Sequence, residues 1–169
     1  SGIVPEIEAI TGKTDVSLAI SLHASNDDLR NEIVPINKKY PIRELLLSSK
    51  NYLKSLNSKS YITVEYILID KVNDSIEDAS NLVSLLSDLQ CKINLIPFNP
   101  FPESEYKRSS HQNVESFKDH LIKNKFIATV RTTRGDEIDG ACGQLVGKLI
   151  NPIGSKKLKK EQILARNIH

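Results

Sequence analysis

The chain has 169 residues, 39% hydrophobic and 26% charged, the composition of one ordinary soluble globular domain. No apolar run approaches the roughly 20 residues of a membrane helix, and no basic flank precedes an apolar stretch near the start. A membrane span is thereby excluded, no secretory signal is visible, and the expected location is the cytoplasm. The formal charge of +2 is too small to imply nucleic acid, but it is unevenly spread. Residues 151–169 carry five basic residues against one acidic, a net +4 that leaves −2 for the remainder.

Val16 to Leu22 is a short run of Val, Leu, Ala and Ile that predicts a strand buried on both faces, as in a parallel sheet. Asp27 and Asp28 suit the first turn of a short helix through about Ile33. Pro41 suits the first position of a longer helix with Ile42, Leu45, Leu46, Tyr52, Leu53 and Leu56 on one stripe. Tyr61 to Ile69, rich in β-branched and aromatic residues, predicts a second strand. Ser75 or Asp74 can cap a helix carrying Ile76, Ala79, Leu82, Val83, Leu86 and Leu89 on one face, and Lys92 to Pro97 gives a third strand. Asn99 to Ser110 reads as a long proline-bearing loop. Val114, Phe117 and Leu121 mark a further helix, and Phe126 to Arg131 a fourth strand. Such alternation means an α/β fold with a parallel sheet and right-handed crossovers.

Ligands in parallel α/β architectures gather at the carboxyl ends of the strands. The polar residues that follow the strands are Ser21 and His23, then Asp70 and Asn73, then Asn99, then Arg131 to Cys142. One rim would thus collect hydroxyl, imidazole, carboxylate, amide, guanidinium and thiol groups, a set able to hold a polar cofactor. Cys142 lies between Gly140 and Gly143 beyond the last strand, where a reactive thiol and a cysteine that merely caps the next helix both remain open. Cys91, at the start of its strand, reads as a small buried hydrophobe. The two cysteines lie at opposite ends of two predicted strands, which argues against a structural disulfide between them and fits a reducing compartment. His111 and His120 have no companion ligand at metal spacing, so no metal is assigned to them.

Four blocks carry a resemblance to a known family: Ser21-Leu22-His23-Ala24, Glu32 to Tyr40, Asn94 to Phe101, and Arg134-Gly135-Asp136 through Cys142-Gly143-Gln144-Leu145. In order and spacing, from about Ser1 to about Leu149, they resemble the C-terminal half of the RlmN/Cfr family of radical S-adenosylmethionine (SAM) methyltransferases. The resemblance implies that residues 1–150 form the C-terminal part of a partial (β/α)6 radical SAM barrel and that 151–169 form a basic tail. It implies SAM contacts at Ser21, Leu22, His23 and Asn99 and a methyl-carrying role for Cys142. It further implies methylation of carbon 2 of adenosine in 23S rRNA and tRNA through an S-methylcysteine, with release needing a second cysteine upstream and hence a disulfide-forming pair. The family's [4Fe-4S] cluster would take its three cysteines from upstream, so the chain, which has no methionine even at position 1, is expected to be a fragment of a monomeric enzyme and inactive alone. A cut parallel sheet would also expose an edge prone to association.

Two other readings stay open beside this one. The chain would be a non-catalytic remnant retaining some RNA or SAM binding, or an unrelated parallel α/β enzyme with Cys142 as nucleophile, whose pairing with His23 lacks an evident third group.

Overall fold

The computed structural model describes residues 2–56, 60–102 and 104–131. Cys142 with its flanking glycines, and the basic segment 151–169, lie outside the described residues.

Helix α1, Val4–Ile10, opens the described chain with a proline in its first turn and buries Val4 and Ile7. The sequence carries no expectation of an element here, since seven residues hold two turns and too few repeats to display a period. Gly2 is required where it stands: its φ is +86°, and a Cβ would lie 2.8 Å from Leu45 Cδ1.

Strand β1 is Ala19–Ser21, shorter than the predicted Val16–Leu22. The Tyr52 hydroxyl donates to the carbonyls of Val16 (2.6 Å) and Thr14 (3.3 Å), so the approach to the strand is tied to a helix instead of a neighbouring strand. Helix α2, Asp27–Ile33, is capped by Asn26, whose side chain accepts from the Leu29 N–H, and its first turn carries the two expected aspartates. A short 3-10 helix follows at Pro35–Lys38. Helix α3, Ile42–Ser55, buries Ile42, Leu45, Leu46 and Tyr52 of the expected stripe together with Ser48 and Ser49, while Leu53 and Leu56 are half-buried against the core, and Pro41 stands one position earlier than predicted, at the N-cap.

Strand β2 is Ile62–Leu68, helix α4 Ile76–Leu86, strand β3 Cys91–Pro97, helix α5 His111–Lys123 and strand β4 Ile127–Val130. Ser75 caps α4 in a reciprocal box with Asp78, and Ser110 caps α5 through the Asn113 N–H. Ile76 does not join the buried face of α4 as predicted. It is 47% exposed, because the buried stripe begins one turn later at Ala79.

The four strands are parallel and lie side by side in chain order. Along β2, Ile62, Val64, Tyr66 and Leu68 are buried and Thr63, Glu65 and Ile67 only half-buried, the alternation of a strand with one covered face. The same holds in β3, where Cys91, Ile93 and Leu95 are covered. The covered residues join α1, α3, α4 and α5 in one core, within which the Tyr66 and Phe117 rings lie 5.4 Å apart. This corrects the expectation that β1 is buried on both faces. Ile20 is buried and Ala19 exposed, because the helices packed in this core cover a single side of the sheet.

Candidate functional site

The open face takes its chemistry from strand register. Ser21, Glu65, Asn94 and Thr129 are successive neighbours across the four strands, a polar row on the face away from the core. Thr129 Oγ1 donates to Asn94 Oδ1 at 3.4 Å. One pleat further along, Ile67 pairs with Ile96. Beyond these strand ends, Phe98, Phe101 and Tyr106 cluster with Ile69 and Val72, with Phe98 6.2 Å from Phe101 and 6.1 Å from Tyr106. The Tyr106 hydroxyl donates to Glu32 Oε1 (3.2 Å), tying this loop to α2.

The end of β1 is the most tightly specified part of the rim. His23 takes φ +62°, a left-handed conformation uncommon outside glycine, yet histidine is among the side chains that tolerate it. Its backbone partners fix it there. The Leu22 and His23 N–H groups both donate to the Glu65 carbonyl, at 3.0 and 3.3 Å. The Ser21 and Leu22 carbonyls accept from Arg30 Nη2 and Nε, each at 2.9 Å, and the His23 carbonyl accepts from Asn73 Nδ2 at 3.0 Å. Three consecutive carbonyls thus point inward to two fully buried side chains.

Asn73 also donates to the Ile67 carbonyl (2.8 Å) and accepts from the Ile69 N–H (2.8 Å), so an amide predicted at the rim joins the ends of β1 and β2 from inside. Arg30 continues outward. Its Nη1 donates to Asn37 Oδ1 at 2.6 Å, and Asn37 donates to Asp27 Oδ1 at 2.8 Å, which also accepts the first N–H of α3 from Ile42. Burial pulls the Arg30 guanidinium down to about 10, with the Asp27 carboxylate opposing, so it stays charged at neutral pH.

The His23 ring accepts the Ile67 N–H at Nδ1 (3.2 Å), which assigns the neutral ring's proton to Nε2. Burial, then the Arg30 charge, pushes the imidazole down to about 4, so it is uncharged at neutral pH. The groups this strand end has left for a ligand are the Ser21 hydroxyl and His23 Nε2, neither bonded to a described residue. Leu22 differs: its side chain is wholly buried and its N–H and carbonyl are both used internally, so it sets backbone position. At the end of β3, Asn99 is exposed and its side chain meets no described partner.

Ser21, His23 and Asn99 therefore stand at the carboxyl ends of strands as the sequence predicts, while Cys142 lies outside the described residues. Cys91 is a free, buried thiol at the opposite end of β3, pushed up to about 12 by burial. No group of three or more His, Cys, Asp or Glu among the described residues could hold a metal ion. His120 instead meets Ser80 Oγ at 3.1 Å between α5 and α4. Sequence reading missed Arg30, Asn37, Glu65 and Asn94. The period-two pattern of β2 and β3 held the signal for Glu65 and Asn94, and the i, i+3 spacing of Arg30 and Ile33 hinted that Arg30 shares the buried side of α2.

No family model matches the chain. Its structure is similar to the crystal structure of a radical SAM methyltransferase from Sphaerobacter thermophilus, with a TM-score of 0.79 and 44% identity over 85% of this chain and 42% of that one. A domain of a pyruvate-formate lyase-activating enzyme from Bacteroides vulgatus shares the fold, with a TM-score of 0.59 and 13% identity over 76% of this chain and 74% of that one. The likeness is to the class of radical SAM methyltransferases, and the four-stranded parallel sheet matches a portion of their partial barrel. Within it, the chain is 53% identical over 151 residues to the dual-specificity RNA methyltransferase RlmN of Psychrobacter arcticus and 58% identical over 147 residues to that of Marinomonas sp.. These alignments take in 88% and 87% of the chain but 37% and 40% of the relatives, so the chain spans about two-fifths of their length. The chain is a relative of the RlmN proteins, aligned to their C-terminal portion.

Proposed function

We propose that residues 1–169 are the SAM-binding and methyl-accepting portion of an RNA methyltransferase of the radical SAM type, acting on carbon 2 of adenosine in 23S rRNA and tRNA through an S-methylcysteine at Cys142. The observation that carries this reading is the alignment with RlmN proteins at 53 to 58% identity over almost nine-tenths of the chain. The open end of the sheet supports it chemically. SAM presents hydroxyls, an adenine and an amino-acid group, and the unbonded Ser21 hydroxyl, the His23 Nε2–H and the exposed Asn99 amide suit those polar groups.

In this reading Ser21 and His23 bind and orient the cofactor, Leu22 fixes the backbone that carries them, and Asn99 closes the opposite side. When bound, SAM would supply the methyl group and, given one electron from the [4Fe-4S] cluster the family carries upstream, the radical needed to functionalise an aryl carbon that has no nucleophilic character. Cys142 accepts the methyl group as a thiolate. The basic segment 151–169 draws the RNA backbone in by charge. Two cysteines fall short of the three thiolates of a [4Fe-4S] site, so the 169-residue chain by itself is expected to be colourless and not to cleave SAM.

The test is mass mapping of the complete protein after incubation with labelled SAM. The label is expected on the peptide containing Cys142, and label on the Cys91 peptide or on neither cysteine would overturn the assignment. The Cys91 thiol, pushed up to about 12, provides an internal control: it should resist alkylation at neutral pH until the protein is unfolded.

A further inference from the structure

Arg30 has no place among the residues read as touching SAM, yet among the described residues it is the largest buried polar side chain and has no exposed surface. Burying a guanidinium is costly, and a hydrophobic replacement of similar volume is often neutral or stabilising. Burial of a guanidinium is thus weak evidence of net stabilisation, and the geometry of its hydrogen bonds is the informative feature. Its bonds go to two adjacent peptide carbonyls, those of Ser21 and Leu22, directly before the left-handed residue His23. A planar fork with fixed donor directions orients two neighbouring carbonyls at once, which a flexible single-point donor cannot do. The far side of the fork is anchored as well. Asn37 accepts from Nη1 and is itself held by Asp27 and Asn31, each at 2.8 Å, and Asp27 receives the Ile42 N–H at the start of α3. Helix α2, the 3-10 turn and α3 thus converge on one guanidinium whose other end grips the strand terminus.

We propose that Arg30 is a positioning residue of the site: it fixes the backbone from Ser21 to His23 so that the Ser21 hydroxyl and His23 Nε2–H are presented together at the open end of the sheet. This deepens the SAM reading and rests on it for the identity of the ligand, but the clamp itself is observable without any ligand. Arg30 acts through the backbone it holds, and its charge also disfavours a second proton on His23.

The experiment uses the 15N-labelled chain and reads two sites, the His23 ring nitrogens by long-range proton–nitrogen correlation and the Ile67 amide by hydrogen exchange. In the unaltered chain, Nδ1 is expected to be unprotonated and Nε2 protonated, with the Ile67 amide protected. Arg30→Met should speed Ile67 exchange about tenfold, the factor that corresponds to losing one ordinary hydrogen bond, and should shift the His23 ring towards mixed tautomers. Arg30→Lys, which keeps the charge but reaches one carbonyl at a time, should give an intermediate result and carries the test if the methionine variant does not fold. Leu121→Ala, a core truncation in α5, serves as the control for general destabilisation. If both Arg30 variants leave His23 and Ile67 unchanged, or move them no more than Leu121→Ala does, the proposal is overturned. SAM titration of the same samples separates the two ideas. Binding to the unaltered chain that weakens about tenfold in Arg30→Lys supports both, and binding that is unchanged in a variant with a disturbed His23 sinks the SAM reading of this strand end while leaving the clamp.

Discussion

The ends of β1 and β3 offer the same kind of polar group to the same rim, yet they are built in opposite ways. After β1, the backbone from Ser21 to His23 is bonded to Glu65, Arg30 and Asn73, and the His23 ring is seated on the Ile67 N–H. After β3, Asn99 stands exposed before a proline, with no described partner for its amide. One wall of the proposed site is thus held by the protein's own bonds, and the described residues give the Asn99 amide of the other no such hold. Binding costs less where groups are already held and more where they must be ordered.

Asn73→Ala breaks the bonded wall at its base and should have the largest effect. It leaves the His23 and Ile67 carbonyls and the Ile69 N–H without their partner in a buried setting, at about 1 to 3 kcal/mol each. A net loss of about 4 kcal/mol is expected from chemical denaturation. A loss below about 1 kcal/mol would mean that the two strand ends hold together without it.

Acid should loosen the same wall by a somewhat smaller amount. Burial and Arg30 hold His23 at about 4, below its ordinary value of 6.5, so the unfolded chain takes up the proton first as pH falls. The contribution is intact above about pH 6.5, declines as the pH drops from there towards 4, and amounts to at most about 3 kcal/mol. His23→Asn keeps a residue tolerant of φ +62° and removes the imidazole. The difference in denaturant midpoint between pH 7 and pH 4 should shrink in that variant. An equal difference in both proteins would show that His23 is not the group responsible.

Asn99→Ala probes the other wall, and its two readouts should diverge. Stability is expected to change by less than about 0.5 kcal/mol, as for an exposed side chain without partners. SAM affinity measured by calorimetry on the complete protein should fall by about 1 to 3 kcal/mol, the cost of removing one partner from a polar contact. An unchanged dissociation constant would leave Asn99 as a turn residue only.

Most of the architecture was legible because the long helices carry their own period and the longer strands their own composition. Tyr61 to Ile69 is rich in β-branched and aromatic residues, and Ile42, Leu45, Leu46 and Tyr52 recur at helical steps, so their types follow without knowledge of neighbours. Val16 to Leu22 misled because a short apolar run does not say whether one face or two will be covered, and Tyr52, thirty-odd residues away, decides where the strand starts. For the site, Ser21, His23 and Asn99 were found from their place after strands, but what holds them was not. Asn73 was read as a rim amide facing ligand, whereas its side chain is spent inside the protein. Arg30 was passed over because arginine in a short polar helix normally faces water, and only the three-dimensional meeting of β1, α2 and the turn at Pro35–Lys38 gives it reason to be buried.

The side-by-side order of the four strands makes this sheet close to one-dimensional, each β/α unit leaning mainly on the unit before and the unit after. Cooperativity in such an arrangement is passed from neighbour to neighbour, and the outermost described strands, of three and four residues, have the least to pass on. Opening should therefore proceed inward from the flanks, with β2 and β3 as the last strands to exchange their amide hydrogens. The clamp at Arg30 sits on one of those flanks, where a bolt between α2 and β1 does the most to delay the first step.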